Sequence, residues 1–137
     1  MKRIVLISCC KKKKNLPCKA CVLYESDLFR KSYKYAVTLK PDRIFILSAK
    51  HHLLESNEVI SPYDLSLNEM NTQEVKNWAE KVIQQLSSVS DLNGDDFTVL
   101  AGNKYRKYLI NRMDNYEVPM ERMRIGKQLS WLKKKVG

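Results

Sequence analysis

Arg3-Ile-Val-Leu-Ile-Ser8 runs apolar without interruption and is rich in β-branched residues. An unbroken apolar run of this length reads as a strand buried on both faces, the usual condition of a parallel sheet. Two more runs share the character, Arg43-Ile-Phe-Ile-Leu-Ser48 and Phe97-Thr-Val-Leu-Ala101. Helical patterns separate them. Leu23, Phe29, Tyr33, Ala36 and Val37 fall broadly on one face, so a helix is predicted over about residues 23–40, with Pro41 as its stop. Val75, Trp78, Ala79, Val82, Ile83 and Leu86 repeat at helical spacing behind Asn71, a capping residue with Glu74 placed to reach back.

Beyond the turn Asp91-Leu-Asn-Gly94 and the third strand, Gly102-Asn103 opens a third predicted helix carrying Tyr105, Tyr108, Leu109 and Met113. A short fourth strand is placed near Tyr116 to Val118, and the tail from Gly126 to Leu132 is helical in composition. Strands alternating with helices imply right-handed crossovers. The expected fold is α/β: a small three-layer α/β/α sandwich with a mostly parallel sheet of about four strands, forming one domain over residues 1–137. Ala49 to Met70 is left as a long irregular stretch, with a turn at Ser61-Pro-Tyr-Asp64.

Composition narrows the function. Apolar residues make up 44% of 137, enough for one core. No apolar run approaches the ~18 residues of a membrane span, and the apolar part of Met1–Ser8 is short for a signal peptide. A cytoplasmic protein with no membrane partner is expected. The formal net charge is +10, from 25 basic and 15 acidic residues. Such a surplus attracts polyanions without naming one, and a soluble basic protein with no anionic partner carries it equally well. Cys18-Lys-Ala-Cys21 has the gap of a zinc knuckle, but Cys9 and Cys10 are adjacent and make a poor second pair, so no metal is expected. With only four glycines and no Walker-type or Gly-x-Gly-x-x-Gly run, no cofactor is expected either.

In open parallel sheets, ligands bind outside the carboxyl ends of strands, near a point where strand order reverses. The three strand ends read Ser8-Cys9-Cys10, Ser48-Ala49-Lys50-His51 and Ala101-Gly102-Asn103. Cys9, with Lys11 and Lys13 close by in sequence, is a candidate nucleophile, because ammonium groups favour a thiolate. It reads equally as a small buried residue. Lys50 and His51 are candidates for proton transfer, with Asp64 to orient the imidazole or act as a base. As ordinary loop residues they would do neither. Ser8, Lys11, Lys13, Tyr24, Ser26, Ser48, Gly102, Asn103 and Tyr105 are candidates to hold phosphate, sugar or base, with Tyr63 as a stacking platform. Phe29 joins them, although its position on the apolar face suits a core residue better.

Ser8-Cys9-x-Lys11-x-Lys13, Leu23-Tyr24-x-Ser26-x-Leu28-Phe29-Arg30-Lys31, Ile46-Leu47-Ser48-Ala49-Lys50-His51 and Pro62-Tyr63-Asp64 together resemble an uncharacterised bacterial and phage domain family (DUF6884-like) nearly end to end. That family looks distantly similar to the peroxide-stress, DNA-associated YaaA proteins and to a domain of archaeosine synthases. The resemblance implies nucleic acid, DNA ahead of RNA, or a nucleotide-like molecule as partner. His52 stands where the family resemblance leads one to expect glycine, a slot suited to positive φ.

The expected function is a nucleic-acid-associated enzyme, glycosylase-like or base-modifying. A non-catalytic DNA- or RNA-binding protein is the alternative, and a small-molecule nucleotide enzyme or ligand sensor is a third. The enzymatic reading requires Cys9, Ser26, Ser48, His51 and Asp64 to meet in one cavity.

Overall fold

A computed structural model describes residues 1–136. Seven strands and five helices follow one another as β1 (Arg3–Ser8), β2 (Cys18–Lys19), α1 (Ala20–Leu23), α2 (Asp27–Thr38), β3 (Arg43–Ser48), β4 (His52–Glu55), β5 (Val59–Ile60), α3 (Thr72–Val89), β6 (Asp96–Leu100), α4 (Asn103–Arg106), β7 (Asn115–Glu117) and α5 (Ile125–Val136). Single 3-10 turns lie at Leu67–Glu69 and Ile110–Arg112.

The fold is α/β, with a five-stranded mixed sheet in the order β4-β3-β1-β6-β7 and a separate ribbon pairing β2 with β5. β1 pairs in parallel with both β3 and β6, which explains its unbroken apolar run: Ile4, Val5, Leu6 and Ile7 are all buried. The chain steps from β1 through α2 to β3, folds back as β4, then crosses through α3 to β6 on the other side of β1. Right-handed crossovers in opposite directions set α2 and α3 on opposite faces. α5 packs along α2, where Tyr35 and Trp131 meet edge to face with centroids 5.0 Å apart. The reversal of strand order falls between β1 and β6, which fixes where a ligand crevice belongs.

α3 follows its pattern closely. Asn71 Oδ1 accepts from the Glu74 amide (2.9 Å), Glu74 Oε1 accepts from the Asn71 amide (3.0 Å), and all six periodic apolar residues are buried. The predicted helix over 23–40 is corrected. It divides into α1 and α2, because Tyr24 takes an extended conformation that bridges Lys13, and Ser26 then starts α2 by accepting from the Phe29 amide (3.1 Å). Val37, expected on the apolar face, is 51% exposed. The predicted third helix is only the four residues of α4 and the 3-10 turn after it.

The stretch from Ala49 to Met70 is not irregular throughout. β4 doubles back antiparallel on β3, with Ser48 opposite His52, and this hairpin supplies the fifth strand. His52 occupies the slot where glycine was expected and has φ 63°, in the left-handed region that closes such three-residue loops. Among the described residues, no helix is long and apolar enough to cross a membrane.

Candidate functional site

The strand-end residues separate into two arrangements. The first stands at the end of β3. Tyr63 Oη lies 2.6 Å from Tyr24 Oη and 2.7 Å from Ser48 Oγ, and Ser48 Oγ accepts from the His51 amide at 3.0 Å. The Trp78 indole donates to the Ser48 carbonyl at 2.8 Å. The Lys13 ammonium sits 4.4 Å from the Tyr63 ring centroid, and the His51 ring meets Tyr63 edge to face. Burial drives the Tyr24 and Tyr63 hydroxyls far above the ordinary tyrosine range, so both stay protonated and can donate. Tyr24 and Ser48 are sealed from solvent, at 1% and 0% exposure. This web ties the loop after β3 to the loop carrying Tyr63.

That geometry corrects several sequence expectations. Tyr24 and Ser48 have no surface to offer a ligand, because their hydroxyls are spent on each other's neighbours. Tyr63 has Lys13 on its face and His51 at its edge, leaving it poorly placed to stack on a base. Phe29 is 2% exposed and packs between Tyr24 and Tyr33, so it shapes a cleft wall without offering a face. Asp64 is exposed, and the charged neighbours felt by His51 are Lys50 and Glu58, so Asp64 does not orient the imidazole. Nε2 of His51 is enclosed and has no hydrogen-bond partner among the described residues. Burial first and Lys50 second lower the His51 pKa below the ordinary histidine value. Lys50 is exposed.

The second arrangement lies at the ends of β1 and β6, where strand order reverses. Two clefts adjoin there and share Cys9 and Cys10 as a common wall. The narrower holds about 60 Å³, enough for a few waters or one small anion and not for a nucleobase. Ser8, Ser26, Ser32, Gly102, Arg106 and Gln128 line it together with apolar residues from β1, β6 and α2. The wider, about 190 Å³, is bounded by Lys11, Leu65, Ser66, Asn68, Glu69 and Tyr105 as well as the two cysteines. Cys9 is 8% exposed and its Sγ lies 3.4 Å from Tyr105 Oη, which also accepts from the Leu67 amide at 3.5 Å. Burial holds the Tyr105 hydroxyl above the ordinary tyrosine range, so it can donate to sulfur. Lys11 reaches across the wider cleft to Glu69, 3.7 Å away.

Of the sequence candidates, Ser8, Cys9, Lys11, Ser26, Phe29, Gly102 and Tyr105 line these clefts; Ser48, His51 and Asp64 do not, so the five residues expected to meet in one cavity are split, and only Cys9 and Ser26 come together. Asn103 lines a separate groove with Thr72, Val75, Lys104, Lys107 and Tyr108. Lys13 belongs to the tyrosine web. Arg106, Gln128, Ser32, Ser66, Asn68 and Glu69 were missed. Arg106 had a signal, being a cation one turn past a strand end. The others depend on how α2, α5 and the 3-10 turn at Leu67–Glu69 pack against the sheet. All four cysteines are free thiols, and among the described residues no three His, Cys, Asp or Glu side chains cluster as a metal-binding group.

A model of a family of unknown function (DUF6884) matches residues 4–134, and the chain belongs to that family. No curated protein matches it.

Proposed function

We propose that this DUF6884 member is a nucleic-acid-associated enzyme that acts on a nucleobase or nucleotide at the carboxyl ends of β1 and β6. The carrying observation is the pair of adjoining clefts that share Cys9 at the reversal of strand order. In this reading the wider cleft receives the base and sugar. Cys9 lines both clefts, and its sulfur lies 3.4 Å from the Tyr105 hydroxyl at the wider one, where the thiol is the candidate nucleophile. Glu69 is the carboxylate of the wider cleft, placed for proton transfer to or from the substrate. The resemblance of the sequence motifs to YaaA proteins and to an archaeosine synthase domain implies the same substrates, nucleic acid and its bases, but no match to a curated protein carries it. The sequence candidates Lys50, His51 and Asp64 lie outside both clefts' walls and have no chemical part in this reading.

In the glycosylase form of the reaction, the bond between sugar and base breaks, the base leaves with the bonding pair and gains a proton, and water or a second base takes its place on the sugar. A duplex substrate would have to extrude its base first. The test is incubation of the protein with single- and double-stranded DNA and RNA, with modified and unmodified bases, and with free nucleotides. The products are read by mass spectrometry. Released base, exchanged base or an abasic site is expected, and it should disappear in Cys9→Ala. Intact substrates throughout would overturn the proposal.

A non-catalytic nucleic-acid-binding protein is favoured by one observation of its own. Lys11 and Lys12 are exposed beside the clefts, and Lys133, Lys134 and Lys135 are exposed at the end of α5. Binding through such lysines should fall steeply with salt and survive Cys9→Ala unchanged.

A further inference from the structure

The narrower cleft is chemically one-sided. Arg106 is the sole charged residue among those lining it, and no carboxylate faces it. The other polar groups there are hydroxyls, thiols and one amide: Ser8, Ser26, Ser32, Cys9, Cys10 and Gln128. Arg106 spends Nη1 on the Ala101 carbonyl (2.7 Å), which fixes the guanidinium against β6 and leaves further N–H donors in its planar fork. Ser26 uses its oxygen as acceptor for the Phe29 amide, so its proton remains free to donate. The Arg30 amide is satisfied by the Ser26 carbonyl, whereas the amides of Asp27 and Leu28 have no partner within α2. Leu28 lines the cleft; the Asp27 side chain does not and is exposed. Ser32 is 2% exposed, lines the same wall, and its hydroxyl takes part in none of the side-chain hydrogen bonds among the described residues.

A small enclosed space ringed by donors and one cation, with no negative side chain, selects a compact anion rich in acceptor oxygens. We infer that this cleft is a subsite for a phosphate monoester, the terminal phosphate of a nucleotide or of an oligonucleotide end. Size decides for the terminal form. About 60 Å³ bounded by β1, β6, α2 and α5 accepts a phosphate with one ester arm leaving through the mouth. An internal phosphodiester needs an exit for two. The inference rests on the proposed function for the rest of the ligand: the clefts share Cys9 and Cys10, and the single arm would pass these residues to reach the wider cleft, where sugar and base would lie.

The experiment compares short single-stranded oligonucleotides of one sequence, ending in a 5′-phosphate, a 3′-phosphate or hydroxyls only. Binding is measured by fluorescence anisotropy, and nucleoside monophosphates and inorganic phosphate are followed by thermal shift. One phosphorylated end should bind about tenfold or more tightly than the hydroxyl form, the size of one or two charge-assisted hydrogen bonds. Arg106→Gln should erase that advantage, so that phosphorylated and hydroxyl ends bind alike. Should Arg106→Gln fail to fold, Ser32→Ala must reduce the advantage instead. A nucleoside monophosphate that raises the melting temperature through Arg106 while no oligonucleotide binds supports the subsite and identifies a free nucleotide as its source. Equal binding of phosphorylated and hydroxyl ends with no thermal shift from either phosphate probe overturns the inference, as does an advantage that survives both substitutions. None of these readouts uses base release, so the catalytic proposal and the phosphate subsite can fail separately.

Discussion

The end of β3 and the paired ends of β1 and β6 carry similar residues and use them in opposite ways. At β3, serine, two tyrosines and the His51 amide bond to one another until hardly a donor is left over. At β1 and β6, Ser8, Ser26, Ser32 and Arg106 surround a space and keep hydrogen-bonding capacity in reserve. A polar cluster whose groups satisfy each other holds a fold together. One whose groups converge on a gap holds something else. Residue type and strand-end position are common to both, so the distinction comes from packing.

The contrast can be broken by showing that the β3 web is dispensable. The largest effect is expected from Trp78→Ala, which removes a buried indole and leaves the Ser48 carbonyl without its donor. A loss of about 3–5 kcal/mol is expected in urea unfolding, in line with large-to-small core substitutions. Tyr63→Phe is smaller: it keeps the ring and strips a partner from both Tyr24 and Ser48, for a loss of about 1–3 kcal/mol. A neutral Tyr63→Phe would mean that the web carries no structural load.

At the clefts the balance should reverse. Ser8→Ala is expected to change unfolding free energy by less than about 0.5 kcal/mol while weakening any phosphate-bearing ligand measurably by anisotropy. The smallest effect concerns pH. Burial lowers the folded-state pKa of His51, and of His52, below the ordinary histidine value of about 6.5. The unfolded chain therefore takes up protons first as pH falls. Stability from this source is fully present above about pH 6.5, and is lost as pH drops from there towards the depressed folded values. Urea midpoints between pH 7 and pH 5 should fall, and the slope should lessen in His51→Asn. A midpoint that rises on acidification would contradict the buried, unpartnered state of Nε2.

Much of the architecture is legible in the sequence. The three buried strands, α3 with its capping box and the late strand near Tyr116 all follow from periodicity and cap chemistry that act locally. β4 was missed because only four residues pair and their partner, β3, is already a strand that reads as complete by itself. The site was half legible. The rule that ligands seek strand ends pointed to Ser8, Cys9, Gly102 and Ser48 alike, and the sequence has no way to show that β4 folds back and seals Ser48 while β6 leaves Gly102 open. Gln128 arrives from α5 because that helix docks on α2, a tertiary event with no local signature.

The most direct measurement is an amide chemical-shift titration of the isotopically labelled protein with a nucleoside monophosphate. Perturbations are expected to concentrate at Ser8, Cys9, Ser26, Leu28, Gly102 and Arg106, with His51, His52 and Tyr63 nearly unmoved. Shifts centred on His51 and Tyr63, with the β1 and β6 ends silent, would contradict the assignment of the working site to the reversal of strand order.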